Sequence, residues 1–298
     1  MLTKALIPAA GLGTRLLPMT KEMPKEMFPI FTKGCNGGIC LKPMVQAVYE
    51  QLFDSGFRDF CFIVGRTKRA IEDQFTPDRG YVDGLQRNGR SSSIEALLDF
   101  YSRVHHSNII FVNQPEPKGF GDAVLAARSS ISGGLLVHAG DTYIVSKNHD
   151  HIRRVITAHM KLGADATFLV QRISDPRQYG VIRGQELSEN TLSVQEGVEK
   201  PEKPASNMAI MPVYVFEPVI FEALSHVKPG RGGEIQLTDG IQSLIEGGCE
   251  VNAVTLNPSE LRLDIGMPDT CWEALKLSYE HCSNLAAPSL GTAKLATA

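Results

Sequence analysis

Apolar residues fall in short runs along roughly the first half of the chain, and the runs alternate between two periods. "KALIPA", "DFCFIV", "NIIFV", "GLLVHAGD" and "ATFLVQ" are near-continuous apolar stretches, which predicts strands buried on both faces. Between them, "PMVQAVYEQLF" sets Met44, Val45, Val48, Leu52 and Phe53 at helical spacing and stops at Gly56. "KRAIEDQF", "DAVLAARS" and "HIRRVITAHMKLG" read as further helices. This alternation implies an α/β fold: a Rossmann-like, mostly parallel or mixed sheet covered by helices. Sheets of this kind bind ligands beyond the carboxyl ends of their strands. The residues after "KALIPA", "IIFVN" and "LLVHA" are therefore the first place to look for chemistry.

From about residue 171 the pattern is less regular and richer in strands. "YGVI", "GVEKP", "NMAIMPVYVF", "EVNAVTL" and "ELRLDIG" predict strands. "GEIQLTDGIQSLIEGG" predicts a helix through Ile235, Leu237, Ile241, Leu244 and Ile245, and "DTCWEALKLSYE" a closing helix anchored by Trp272. Residues 1–281 read as a single domain and 282–298 as a mobile tail. The polar, glycine-broken stretch in 78–107 is either a flap or interface element or a surface excursion. Ser92 and Glu95 within it could form a capping box.

Charge and cysteine content narrow the class. The formal charge of -3 is spread over mixed signs, with no basic patch suited to nucleic acid, so an anionic ligand must meet local positive charge. The six cysteines contain no CxxC, and reduced thiols are expected; the Cys35/Cys40 pair lacks a second ligand pair. No stretch approaches the roughly 20 apolar residues of a membrane span, and no leader is evident, so a cytoplasmic protein without a membrane partner is expected.

"PAAGLGTRLLPMTKEMPKEM" follows the first predicted strand. Gly11 and Gly13 begin a dinucleotide fingerprint, but Leu16 stands where its third glycine belongs, and the chain has no Walker loop. Ala10, Gly11 and Gly13 would let successive backbone amides approach a triphosphate. Arg15 adds a fork of donors suited to phosphate oxygens, and a loop folding back after Pro24 could bring Lys25 to the same phosphates. Taken alone, Gly13 and Arg15 fit a tight surface turn with solvated charge equally well.

Together, "GLGTR" and "PKEM" in "GLGTRLLPMTKEMPKEMFPI" resemble the signature of the sugar-phosphate nucleotidylyltransferases, nearest the prokaryotic UTP–glucose-1-phosphate type. The resemblance runs over about residues 3–280: "LKPMVQAVYEQL" opens a helix, "NQPEPKGFGDAV" resembles the base-recognition loop and "HAGD" the metal aspartate. "YGVI" and "VEKP" resemble the sugar-side elements, "GEIQLTD" a helix start and "LDIGMPD" the second metal region; "TKGCNGGIC" is an insertion relative to the common pattern. It implies a nucleotide-diphospho-sugar transferase fold, with a nucleotide half over about 1–170 and a β-rich sugar and metal half over about 171–281.

The implied reaction is UTP plus glucose 1-phosphate to UDP-glucose and pyrophosphate, with direct attack of the sugar phosphate on the α-phosphorus. The resemblance makes Asp141 and Asp264 Mg2+ ligands, puts Arg15 on the leaving pyrophosphate and Lys25 near the α-phosphate, and assigns Lys200 to the sugar phosphate. Glu199 would face the sugar hydroxyls and Gly180 would let the sugar approach the backbone. Neighbouring strand side chains normally oppose each other, so Glu199 and Lys200 can share the cleft only through a local twist; the other reading is a surface ion pair. Gln114 carries the donor and acceptor a pyrimidine edge needs, with Gly119 and Gly121 as a close wall. Uracil and thymine present the same edge, so dTTP remains an alternative nucleotide, and a nucleotide-sensing regulatory protein an alternative class. Members of the resembled family are commonly even-numbered oligomers, which leaves a homodimer or a homotetramer open.

Overall fold

The computed structural model describes residues 2–87 and 91–286. In chain order the first elements are β1 (Lys4–Pro8), β2 (Pro29–Lys33), β3 (Ile39–Pro43), α1 (Met44–Asp54), β4 (Asp59–Val64), α2 (Arg69–Gln74), α3 (Arg79–Arg87) and α4 (Ser91–His105). Next come β5 (Asn108–Asn113), α5 (Phe120–Ala126), β6 (Leu135–His138), β7 (Thr142–Val145), α6 (Asp150–Leu162) and β8 (Ala166–Arg172). The remainder comprises β9 (Gly180–Ser188), β10 (Thr191–Glu199), β11 (Met208–Phe216), α7 (Val219–His226), α8 (Leu237–Glu246), β12 (Val251–Thr255), β13 (Leu261–Asp264) and α9 (Pro268–Ala286).

A 9-stranded sheet runs in the order β5–β4–β1–β6–β11–β8–β12–β10–β9. The pairs β5/β4, β4/β1, β1/β6 and β12/β8 are parallel; β11 runs antiparallel to both β6 and β8, and β10 to both β12 and β9. The sheet is thus mixed. Its central strands are buried on both faces because helices cover each side, while the edge strands β5 and β9 stay partly exposed. Leu6, Ile63 and Val137 pack toward α5, α7 and α8, whereas Ala5, Ile7, Phe62 and Leu136 pack with Val48 and Leu52 of α1 and Ile152 of α6. A third cluster joins Ile30 and Met44 to Leu263, Ile265 and Cys271.

Pro212 interrupts β11, and the register with β8 shifts between Met211 and Tyr214. Proline has no N–H to give the ladder, so a bulge is where a central strand can hold it. The Pro212 carbonyl accepts from Ala139 N at 3.0 Å, and Pro8 O accepts from Gly140 N at 3.1 Å. The turn before Asp141 is thereby fixed between β11 and β1.

Several local expectations change. Ile235 does not join α8: the backbone before it is extended, and it pairs with the loop before α5. Trp272 does not anchor α9; it is 67% exposed, and Cys271 and Ala274 face the core instead. Part of 78–107 is structural, since Phe100 of α4 is buried against Tyr49 and Phe75. "TKGCNGGIC" forms the tip of the β2–β3 hairpin, closed by Gly34 N to Gly38 O at 2.7 Å. The Ser92 side chain and residues 287–298 lie outside the described residues. Among those described, no helix is long and apolar enough to cross a membrane.

Candidate active site

The loop after β1 begins buried and ends exposed. Ala9 N donates to Ile63 O at 2.8 Å, extending the β1/β4 ladder by one residue, and Ala10 is 5% exposed. Gly11 and Leu12 then emerge into solvent. Gly13 turns with φ 66, its carbonyl held by the Thr20 hydroxyl at 2.8 Å. Arg15 follows on an exposed 3-10 turn (Thr14–Leu16). A later 3-10 turn (Lys25–Met27), itself largely buried, brings Lys25 back over the loop: a Cβ built on Gly11 would lie 3.7 Å from Lys25 Nζ.

Lys25 forms an ion pair with Asp141, just beyond the end of β6. Burial works against the ammonium, but Asp141 and Glu26 outweigh it and hold the Lys25 pKa above its usual value. For Asp141, burial disfavours the carboxylate, yet Lys25 keeps its pKa low. Asp264 ends β13, where it pairs in register with Thr142 of β7. The Thr142 hydroxyl lies 3.4 Å from Oδ1 of both Asp141 and Asp264, so the two carboxylates face each other across one hydroxyl. Burial, and then the charge of Asp141, raise the Asp264 pKa. Arg15 reaches the same point: a Cβ on Gly266 would lie 3.0 Å from Asp264 Oδ2 and 3.6 Å from Arg15 Nη2.

Among the described residues no three or more His, Cys, Asp or Glu side chains gather as a metal cage. The donor set still fits Mg2+, which takes hard oxygens, keeps several waters and needs one or two carboxylates beside substrate phosphates. The facing carboxylates repel one another, and the Lys25 ammonium occupies the place of positive charge beside Asp141.

Glu199 and Lys200 lie at the end of β10, where Glu199 pairs in register with Gly180 of β9. Lys200 leaves the strand with φ 42, and its N–H donates to Tyr179 O at 3.0 Å. This left-handed turn brings Lys200 Nζ to 2.9 Å from Glu199 Oε1 instead of to the opposite face. Glu199 also accepts from the Thr238 hydroxyl at 2.7 Å. A Cβ on Gly180 would lie 2.6 Å from Thr238 Oγ1 and 3.2 Å from Glu199 Oε2, so only glycine fits beside this pair.

Gln114 caps the β4/β5 ladder, its N–H donating to Val64 O at 2.8 Å. Its side-chain nitrogen donates to Asp122 at 2.6 Å and to Gly119 O at 3.3 Å, which leaves Oε1 as the end available to a ligand N–H. Gly119 and Gly121 are needed for packing as well as for openness. A Cβ on Gly119 would lie 2.5 Å from Ile235 O, and one on Gly121 2.9 Å from the same atom.

The loop of Arg15 and Lys25 and the two aspartates thus converge. Lys200, Glu199 and Gly180 form a second group, and Gln114 stands with the Gly119 loop as a third. The first two are linked by a residue the sequence reading missed. Arg262 donates to the Tyr179 hydroxyl at 2.7 Å, sets its guanidinium carbon 5.0 Å from the centre of that ring, and lies 4.0 Å from Asp264. Its signal was its place two residues before Asp264 on one strand, hence on the same face. Lys68 and Glu26, a buried ion pair behind Lys25, were also missed.

Basic groups and hard oxygen donors converge where the strands end, as suits an enzyme acting on phosphate esters. The chain belongs to the Nucleotidyl transferase family, whose model matches residues 4–280. It is 39% identical over 249 residues to the UTP–glucose-1-phosphate uridylyltransferase of Bacillus subtilis, covering 82% of this chain and 80% of that protein. It is 31% identical over 291 residues to the enzyme of the same name from Pseudomonas aeruginosa, covering 94% and 97%. A solved UDP-glucose pyrophosphorylase complexed with UDP-glucose matches with a TM-score of 0.82 at 30% identity, covering 94% of this chain and 100% of that one. The UTP-bound enzyme of Acinetobacter baumannii matches with a TM-score of 0.78 at 26% identity, covering 98% and 96%.

Proposed function

We propose that the chain transfers the uridylyl group of UTP to glucose 1-phosphate, giving UDP-glucose and pyrophosphate. The observation that carries this reading is the ion pair of Lys25 with Asp141, with Arg15 and Asp264 both reaching Gly266, at the turns that follow β1 and β6 and end β13. The names of the relatives support the choice of UTP and glucose 1-phosphate.

The attacking oxygen of a sugar phosphate is already anionic, so no protein base is required; the barrier lies in aligning two anions and stabilising charge. Arg15 would hold the leaving pyrophosphate. Lys25 would turn from Asp141 toward the α-phosphoryl oxygens, a short rotation for a flexible stem already over Gly11. Asp141 and Asp264 would hold Mg2+, which would offset the negative charge of the substrate phosphates. Lys200 would bind the sugar phosphate, while Glu199, oriented by Thr238, accepts sugar hydroxyls beside Gly180. Gln114 Oε1 would accept the ring N–H of the pyrimidine, its nitrogen being held by Asp122.

A product-resolved assay crossing UTP, dTTP, ATP and GTP with several sugar 1-phosphates tests this. UDP-glucose and pyrophosphate should dominate, and EDTA should stop turnover. Nucleotide binding with no product from any pair would point to a sensing protein, and faster use of dTTP would overturn the nucleotide assignment.

A further inference from the structure

Behind Lys25 the structure buries an ion pair: burial raises the Glu26 pKa, and the charges of Lys68 and Lys25 oppose that rise. Lys68 Nζ lies 2.9 Å from Glu26 Oε2, with the side chains 3% and 2% exposed. Lys68 belongs to the turn after β4, where its N–H donates to Gly65 O at 3.0 Å and its carbonyl accepts from Ile71 N at 2.9 Å as α2 begins. Glu26 belongs to the same 3-10 turn as Lys25, closed by Met27 N to Pro24 O at 2.9 Å. A Cβ built on Gly140 would lie 3.4 Å from Glu26 Cγ and 3.3 Å from Ile7 Cγ2. The Glu26 stem is therefore lodged between the end of β1 and the residue that precedes Asp141.

We propose that the Glu26–Lys68 ion pair is a positioning element of the transfer site, locking together the turns that carry Lys25 and Asp141; this rests on the roles given to those two residues above. Four side chains form a row of alternating charge: Lys68, Glu26, Lys25 and Asp141. Lys25 has a long, rotamer-rich stem, and its pairing with Asp141 cannot survive its turn toward a phosphate. The Glu26 carboxylate gives the ammonium an attraction that persists when Asp141 is given up. Lys68 fixes Glu26 from the far side and, being buried, meets no substrate.

Packing alone does not account for these charges. Taking two ions out of water is costly, and apolar residues of similar volume commonly fill such a place with no loss of stability. What an apolar pair cannot supply is the directed hydrogen bond from the β4 turn or the field at Lys25. A misplacement of about 1 Å at a reacting group can cost on the order of a hundredfold in rate.

The test compares Lys68→Met, Glu26→Gln and the double variant E26Q/K68M with the wild type, measuring thermal midpoint, kcat and the KM for each substrate. Each single change strands or unbalances a buried group and should lower the midpoint, by roughly 10 °C for Lys68→Met. The double variant leaves no stranded charge and should regain most of the midpoint. Its kcat should nevertheless stay about ten- to a hundredfold below wild type, with KM for glucose 1-phosphate unchanged. A double variant with wild-type kcat overturns the proposal, and one that cannot fold assigns the pair to the fold and overturns it too. Absence of product from the wild-type protein instead overturns the transfer reading, and this inference with it.

Discussion

At Lys200 the backbone takes φ 42, a region that costs a residue with a Cβ about 1–3 kcal/mol. The turn is what lets Lys200 and Glu199 share one side of the strand end, 2.9 Å apart. Its identity and its neighbour were legible in "VEKP"; its direction was not, because strand alternation predicts opposite faces. Lys200→Ala should lower kcat/KM for glucose 1-phosphate by roughly 10–100-fold, the value of a charge-assisted hydrogen bond, while leaving KM for UTP within about twofold. Equal loss on both substrates in steady-state kinetics would contradict a sugar-phosphate role. In the proposed transfer Lys25 and Asp141 serve a different step. Lys25→Met and Asp141→Asn should each lower kcat by about 10²–10³-fold without altering the far-ultraviolet circular dichroism, and unchanged kcat in either would remove that residue from the account.

The element that presents Gln114 owes its shape to a partner far along the chain. Gly121 N donates to Ile235 O at 2.9 Å and Ile235 N to Lys118 O at 2.7 Å, which ties the start of α5 and the loop before it to the segment before α8. Helical spacing of apolar residues suggested that Ile235 opens α8, but periodicity registers only which positions are apolar, and extended pairing with a distant loop leaves no such trace. Gly119 reads as a wall for the base in the sequence; the structure adds a backbone contact that excludes any side chain. Gly119→Ala should therefore destabilise the protein by about 1–3 kcal/mol in urea unfolding and raise KM for UTP, since the loop and the Gln114 carboxamide must both shift. The mixed sheet has a similar origin. Near-continuous apolar strands announce burial on both faces, but the reversed direction of β11 depends on pairing with β6 and β8 that no local pattern records.

For the whole molecule, the α/β layering and the strand-end location of the candidate site were legible from runs and turns, whereas a buried ion pair such as Glu26–Lys68 was not, because composition does not show which charges face inward. Burial holds His138 and His151 neutral, with pKa values lowered from 6.5 to about 4 and about 2. Nε2 of each ring has no hydrogen-bond partner among the described residues, so a proton there would be stranded. Between those folded values and 6.5 the unfolded chain binds more protons, so their contribution to stability is complete above about pH 6.5 and is lost as pH falls, by about 1.4 kcal/mol per pH unit for each ring. Thermal midpoints of His151→Gln should fall less steeply than those of the wild type from pH 6.5 toward pH 4; parallel curves would contradict the buried neutral state. Direct transfer between two bound anions is tested most directly by rapid quenching with α-labelled UTP. With Mg2+ and UTP alone, neither labelled protein nor pyrophosphate should appear; adding glucose 1-phosphate should give labelled UDP-glucose and pyrophosphate in equal amounts. Label retained on the denatured protein, or a burst of pyrophosphate without the sugar phosphate, would contradict the account.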